Sequence, residues 1–496
     1  MVLTEPPPTF SLHETSLGQV TWPVSPAYNN LVFYDPGKGT ETIETIIPDL
    51  GERWEWSADG KALTFFLRKG VKWHDGTPFT SLDVKYTFDV VREAPDIPSK
   101  LRANPRQLWY ENVSSIETPN SDTVVFRLKR PESALLALLA SGFSVVYPAH
   151  VQPVDRLRTQ IMGTGPFRFK EYSPGEMLTY ERNRDYFKPG LPYLDGMRYT
   201  VIRDRTARIA ALRTGRVKLS PIVDIPKSIA DDIRKNAPHL KVSERVVLSA
   251  NILLLNHKKP PFNNPKIREA VNLALDRSAH VTAAREGAAG VGTTMLPGGF
   301  WALPEAEMRK LPGYSGDMES RRAQAKKLIA EAGDPAGLKL EMPTRSLAVF
   351  VESATFVIDQ LKRVGIDATM KQMETGPWVA LQERRDYTII DTRMGIAVDD
   401  PSPIYAEFYT CRAPRNYTGY CNPDVEAMMN EQAVTTDPLK RRALVWEIDK
   451  RLVTEVARPI LSWNIDYMVW WPEVRGYVQH QSLTTTGRHE TLWLAK

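Results

Sequence analysis

No apolar run in the chain approaches the roughly 18 residues that a membrane-spanning helix needs. Charge of one sign is also scarce: 64 Lys and Arg stand against 59 Asp and Glu, a formal net charge of +5. The basic residues are scattered among acidic ones, which is not the clustered footprint of a nucleic-acid binder. There are only two cysteines, Cys411 and Cys421, in "YTCRAPRNYTGYC". None of the eight His lies within ten residues of either, so the pair lacks the partners of a structural zinc site. Pro414 and Gly419 let the intervening nine residues bend back, and a disulfide is expected, with the oxidising compartment that implies. Enzyme signatures are missing too. There is no His-Glu-x-x-His and no Gly-x-Ser-x-Gly, and "PGKGT" at 36–40 lacks the first glycine of a phosphate loop. No catalytic residue, protein-built metal site or cofactor is assigned. The start, "MVLTEPPPTFSLHETS", has no basic segment, apolar core or lipidation cysteine. A cytoplasmic protein and an exported one that has lost its signal both fit; the cysteine pair favours export.

What is present is ordinary globular material, 42% hydrophobic and 25% charged, in a chain of 496 residues that suggests two or three domains. No internal repeat or low-complexity segment stands out. "KGVKWHDGTPFTSLDVKYTFDVV" at 69–91 sets His74 beside Asp75, as a catalytic pair would. The surroundings argue for scaffold. Two β-prone runs, 53–57 and 63–67, flank the Asp59-Gly60 turn of a hairpin. Thr80 and Asp83 have the spacing of a capping box, and Val84, Phe88 and Val91 fall on one helix face. His74 reads as a turn histidine with no nucleophile at a useful spacing.

An ordered series of motifs then runs from about residue 25 to 476: this stretch, "GTGPFRFKEY" with "ERNRDYF", "LLLNHKKPPFNNPKIREAVNLALDR", "AQAKKLIAEAGDPAG" and "GYCNPDVEAMM". The series resembles the family 5 extracellular solute-binding proteins, the dipeptide, oligopeptide and nickel-complex receptors of ABC importers. The resemblance implies an α/β fold of the two-lobed periplasmic-binding-protein type, with an extra subdomain in the first lobe. Lobe I would take 1–39, 163–246 and 464–496, its extra subdomain 40–162, and lobe II 247–463. Local patterns fit. Asn264 can cap a helix with Pro265 at its first position and Ile267, Val271 and Ala274 buried. Ala354, Ile358 and Leu361 mark another helix, which stops near Gly365. Ile366 to Met370 alternates as a strand, and Leu444, Ile448 and Leu452 stripe the last long helix before Pro459.

The resemblance also implies site residues. In "DTRMGIAVDDPSPIY", peptide binders carry an ammonium-binding Asp where this chain has Ala397; the residue before Asp400-Pro401, here Asp399, faces the ligand in nickel-complex binders. Met394 and Gly395 fall at pocket positions of those binders. Arg345 matches the arginine that clamps the ligand carboxylate in dipeptide binders, and a guanidinium offers two parallel donors for that task. Thr15, Ser16, Leu17 and Gln19 align with the N-terminal pocket loop, under which Tyr28 would pack. Trp378 and Trp463 are possible cleft walls, with core packing the plainer reading.

The expected function is a monomeric, periplasmic or otherwise extracytoplasmic binding protein that closes two lobes over a small molecule and presents it to an ABC permease. The loss of the amine-binding Asp points to a modified peptide, an opine- or sugar-acid-like conjugate, or a metal chelate. A sensory receptor with the same cleft is the alternative; a periplasmic hydrolase would need a nucleophile–base pair that the chain does not offer.

Overall fold

A computed structural model describes the chain except residues 133, 223, 334–336, 436, 486 and 496. The Asp-Pro-Ala within the motif "AQAKKLIAEAGDPAG" therefore lies outside the described residues. Two compact units emerge: Met1–Val247 with Asp466–Lys496, and Leu248–Ile465. The first is called unit 1 below and the second unit 2. Strands Lys241–Leu255 and Ile460–Trp470 each run across a unit boundary.

Unit 1 holds two four-stranded sheets. In one, Phe167–Ser173, Met177–Arg182 and Gly196–Val201 form an antiparallel meander, extended by a parallel strand at Val2–Leu3. The other is antiparallel, ordered Gly51–Trp56, Ala62–Leu67, Thr123–Leu128, Val113–Asn120. Its first two strands are the hairpin read from Asp59-Gly60, with Gly60 at φ +66° and its N–H on the Ser57 carbonyl at 2.9 Å. Helix Ser81–Val91 starts with the expected capping box: the Thr80 hydroxyl accepts from the Leu82 N–H, and Asp83 Oδ2 accepts from the Thr80 N–H. Phe88 packs edge-on against Phe126 at 5.4 Å, seating the helix on the sheet.

His74 is part of that scaffold. Its Nε2 lies 3.0 Å from the Gly165 carbonyl and its N–H donates to Gly163. Burial pushes its pKa down to about 4, leaving a neutral ring. Gly163 and Gly165 lie against the Ala27 backbone; a Cβ on Gly163 would stand 1.8 Å from the Ala27 carbonyl oxygen. "GTGP" is thus a point of close backbone approach and not a phosphate loop.

Unit 2 centres on strands Lys241–Leu255 and Ile389–Gly395, paired antiparallel, with Ile460–Trp470 on the other flank of the first and Ala289–Gly290 at the edge. A separate parallel pair, Leu338–Arg345 and Ile366–Met373, carries helix Ala348–Lys362. Parallel pairing and antiparallel pairing coexist, as a mixed α/β architecture requires. Helix Pro265–Ala274 has Asn264 as its cap, accepting from the Lys266 N–H at 3.0 Å, and buries Ile267, Val271 and Ala274. Helix Pro438–Thr454 departs from expectation by one residue: Val445, Ile448, Asp449 and Leu452 are buried while Leu444 is only half-buried. The rotation seats Asp449 on Thr293 and Thr294, whose hydroxyl and N–H respectively donate to it. Cys411 and Cys421 form the expected disulfide.

Candidate ligand-binding site

In unit 2 Arg345 meets Trp378, both among the residues expected from the sequence, while the other expected residues are dispersed. Arg345 closes strand Leu338–Arg345; its Nε and Nη2 both donate to the Thr375 hydroxyl, at 3.1 and 2.9 Å. Thr375 is the first residue of helix Thr375–Glu383, which also carries Trp378. The Arg345 guanidinium lies 4.6 Å from the centre of the Phe350 ring and 5.9 Å from that of Trp378. Aromatic faces suit a guanidinium that must leave water, because the ring quadrupole replaces part of its hydration. Trp378 is 3% exposed, and its indole N–H donates to the Pro343 carbonyl at 3.3 Å.

Strand Ile389–Gly395 adds a second guanidinium. Its alternation puts Asp391, Arg393 and Gly395 on one face and Ile390, Thr392 and Met394 on the other. Arg393 stands 5.9 Å from the same Phe350 ring. Sequence reasoning singled out neither Arg393 nor Phe350; period-2 alternation from Gly395 would have reached Arg393. Asp391 accepts from Ser353 Oγ at 3.2 Å, and burial pushes its pKa up to about 8 against the opposing pull of Ser353 and Arg393. At neutral pH it therefore brings no full negative charge to the two arginines. Met394 and Gly395 point apart. Met394 joins the core cluster that also contains Trp378 and Trp463, with its sulfur 3.4 Å from Arg458 Nη1. Gly395 is half-buried, and a Cβ there would meet nothing within 4 Å. Trp463 is fully enclosed, its N–H on the Thr293 carbonyl at 2.9 Å, so it serves the core.

At the Asp-Pro turn the two acids differ. Asp400 caps helix Pro401–Phe408 by accepting from the Ser402 N–H and is gripped by Arg441 through both oxygens, at 2.6 and 3.0 Å. Asp399 is half-buried, with Oδ2 3.6 Å from where a Cβ on Gly299 would stand. Ala397 is 3% exposed and apolar.

In unit 1 the N-terminal loop is held from below. The Thr15 hydroxyl accepts from the Leu17 N–H at 3.1 Å, and its carbonyl accepts from Arg106 Nη1 at 2.6 Å. Arg106, which the sequence did not single out, is 2% exposed and stacks on Phe143 at 3.5 Å. Leu17 precedes helix Gly18–Val24, and Ser16, Leu17 and Gln19 are half-buried. Neither Ser16 nor Gln19 makes a side-chain hydrogen bond among the described residues. Tyr28 is fully buried and its hydroxyl accepts from the Met162 N–H at 3.4 Å, so it packs as expected. Among the described residues, no group of three or more His, Cys, Asp or Glu is arranged to hold a metal ion. No helix among them is long and apolar enough to cross a membrane.

The chain belongs to the bacterial extracellular solute-binding proteins, family 5 Middle, whose model matches residues 45–416. It is therefore a solute-binding protein of the kind that serves ABC importers. It is similar to a probable di/tripeptide-binding protein 5 of Pseudomonas aeruginosa, 27% identical over 474 residues covering 90% of this chain and 86% of that one. Its fold is that of AgaA from A. tumefaciens R10, solved in complex with agropinic acid, with TM-score 0.88, 24% identity, and 100% of this chain and 98% of that chain covered. DppA from Helicobacter pylori, solved with the peptide STSA, gives TM-score 0.88 at 23% identity, covering 100% of this chain and 97% of that one.

Proposed function

We propose that this solute-binding protein works outside the cytoplasm for an ABC importer, and that its ligand is a small carboxylate-bearing solute without a free α-ammonium group at the usual peptide position. A modified peptide, an opine- or sugar-acid-like conjugate or a chelate fits that description. The observation that carries the reading is at the Asp-Pro turn. Ala397 is buried and apolar where peptide binders place an acid, and Asp400 is committed to Arg441 and a helix cap. An ammonium buried beside Ala397 would lack a counter-charge and cost several kcal/mol. The anionic half of the ligand is served by Arg345, whose planar fork matches a carboxylate. The agropinic acid in the similar AgaA structure is in keeping with such a ligand. The disulfide fits an oxidising compartment.

Binding is coupled to closure of the two units. A solute that contacts both only when closed shifts the population, and moving an open:closed ratio from 99:1 to 1:99 takes about 5.5 kcal/mol of differential affinity. The receptor acts as a monomer, and its closed form is what the permease recognises.

Native mass spectrometry of the purified protein tests the reading by identifying any solute carried from the host. Calorimetry with that solute should give about a tenfold to hundredfold weaker affinity for Arg345→Ala, with little rescue by Arg345→Lys. A carried free-amino dipeptide, or unchanged affinity in Arg345→Ala, would overturn it.

A further inference from the structure

Unit 2 carries a cavity of about 610 Å³, partly open to solvent, whose lining includes neither Arg345 nor Phe350. That volume lies within the range of small-molecule sites. Its wall carries two guanidiniums held side by side. Arg277, 3% exposed, donates to the carbonyls of Ile460 and Gly313 at 2.7 and 2.8 Å and to Asn272 Oδ1 at 2.6 Å. Arg321 donates to the same Gly313 carbonyl and to the Met318 sulfur. Gly313 has φ +81°, and a Cβ there would stand 2.8 Å from Asn272 Nδ2, so its carbonyl is fixed where both arginines meet it.

Every one of these acceptors is neutral. Among the described residues neither Arg277 nor Arg321 forms an ion pair, and Arg321 Nε is buried without a hydrogen-bond partner. Of the carboxylates around the cavity, Asp276 accepts from the Ala279 N–H, Asp317 from Ser320, Asp449 from Thr293 and Thr294, and Glu305, itself in the lining, from Arg309, while Asp399 lies beside Gly299 of the lining. Two adjacent cations without a bound counter-ion are unfavourable in a partly enclosed site. Burial and the Arg277 charge accordingly push the Arg321 guanidinium below its ordinary value, against the weaker pull of Asp276 and Asp317. The lining also includes the apolar Met295, Leu303 and Met308, alongside the charged Glu305 and Arg309.

We infer that this cavity is a second binding site, for a small organic oxyanion. Its carboxylate or phosphate lies against the Arg277–Arg321 pair, and its short apolar body lies against Met295, Leu303 and Met308. Arg321 Nη1 and Nη2 each keep a second N–H beyond the bonds to Gly313 and Met318, and these are the donors that such an anion would use, while Arg277 supplies charge from a position already fixed by the fold. The site does not depend on which solute the importer carries.

Calorimetric titration of the full chain with hexanoate, phenyl phosphate and inorganic phosphate tests this. At least one of the two organic anions should bind saturably to wild type. Arg321→Gln should weaken that binding about tenfold or more, the share expected of a charge-assisted hydrogen bond. Ala302→Trp, which places bulk in the wall at a half-buried position, should abolish it. Arg345→Ala should leave it unchanged, which separates this site from the importer's solute site. Absence of saturable binding by both organic anions would overturn the inference. So would wild-type affinity in Arg321→Gln or in Ala302→Trp, or inorganic phosphate binding as tightly as the organic anions.

Discussion

Arg441 holds Asp400 by both carboxylate oxygens, Nη2 to Oδ1 at 2.6 Å and Nη1 to Oδ2 at 3.0 Å, across 41 residues of sequence. The same guanidinium donates to Ser402 Oγ and, through Nε, to Gln432 Oε1, and it lies 4.7 Å from the Trp301 ring. The pair is largely shielded, with side-chain exposures of 6% and 16%. It joins the start of helix Pro401–Phe408 to helix Pro438–Thr454 and so fixes the turn that carries Ala397 and Asp399.

Removing one partner of such a pair leaves a charge without its counter-charge, which costs about 3–5 kcal/mol in buried settings. Arg441→Leu should therefore lower the urea midpoint by that order. Pairing it with Asp400→Asn should recover part of the loss, because the double variant buries no lone charge. A single variant as stable as wild type would show that the bidentate contact contributes nothing.

Asp391 makes stability depend on pH in the direction opposite to an ordinary paired carboxylate. Burial raises its folded pKa to about 8, whereas an unfolded Asp titrates near about 3.9. The folded state thus keeps a proton that the unfolded chain releases. Its contribution is fully present below about pH 4 and is lost as pH rises through about 8. The whole effect is on the order of 5 kcal/mol. Asp391→Asn cannot ionise and retains groups able to bond Ser353. Urea unfolding at pH 5 and pH 8 should show a smaller drop for the variant than for wild type; identical drops would remove Asp391 as the cause.

Local features were readable in the sequence because local chemistry makes them. Asp59-Gly60 needs only its own backbone to turn, Thr80 and Asn264 cap helices two residues away, and Cys411 reaches Cys421 through a short loop. The site is less legible because its members meet through strand register. Arg345 and Arg393 share the Phe350 ring although they lie on strands with different partners. No spacing in the chain announces that meeting. The same holds for Arg441, which takes Asp400 out of the list of available acids, and for Arg106 under Thr15. Met394 and Gly395 are adjacent in sequence and opposite in space, a difference that pleating imposes and motif alignment ignores.

The disulfide closes a short loop next to helix Pro423–Val434, and Cys411 N–H donates to Glu426 of that helix at 2.8 Å. Closing a loop of this length removes unfolded-state entropy worth roughly 3 kcal/mol. Cys411→Ser with Cys421→Ser should lower stability by about that amount while retaining the far-ultraviolet circular dichroism of wild type. Reduction of the wild-type protein by dithiothreitol should reproduce the loss. If the double variant unfolds at the same urea concentration as the oxidised protein, the bridge has no stabilising role.

Gly163 offers the sharpest steric test of the unit 1 scaffold. Its Cα faces the Ala27 carbonyl so closely that an added Cβ would stand 1.8 Å from the oxygen, and its own carbonyl accepts from the His74 N–H. Gly165 donates to that same Ala27 carbonyl at 2.9 Å, so the strand of chain cannot retreat without breaking a buried hydrogen bond. Gly163→Ala must therefore move backbone rather than a flexible side chain, and a loss of about 3 kcal/mol or more is expected. Gly175→Ala serves as the comparison: it has φ +79° but open space around the missing Cβ, so its cost is confined to conformational strain of about 1 kcal/mol. Thermal or urea unfolding of both variants decides the matter, and a Gly163→Ala protein no less stable than Gly175→Ala would contradict the close approach.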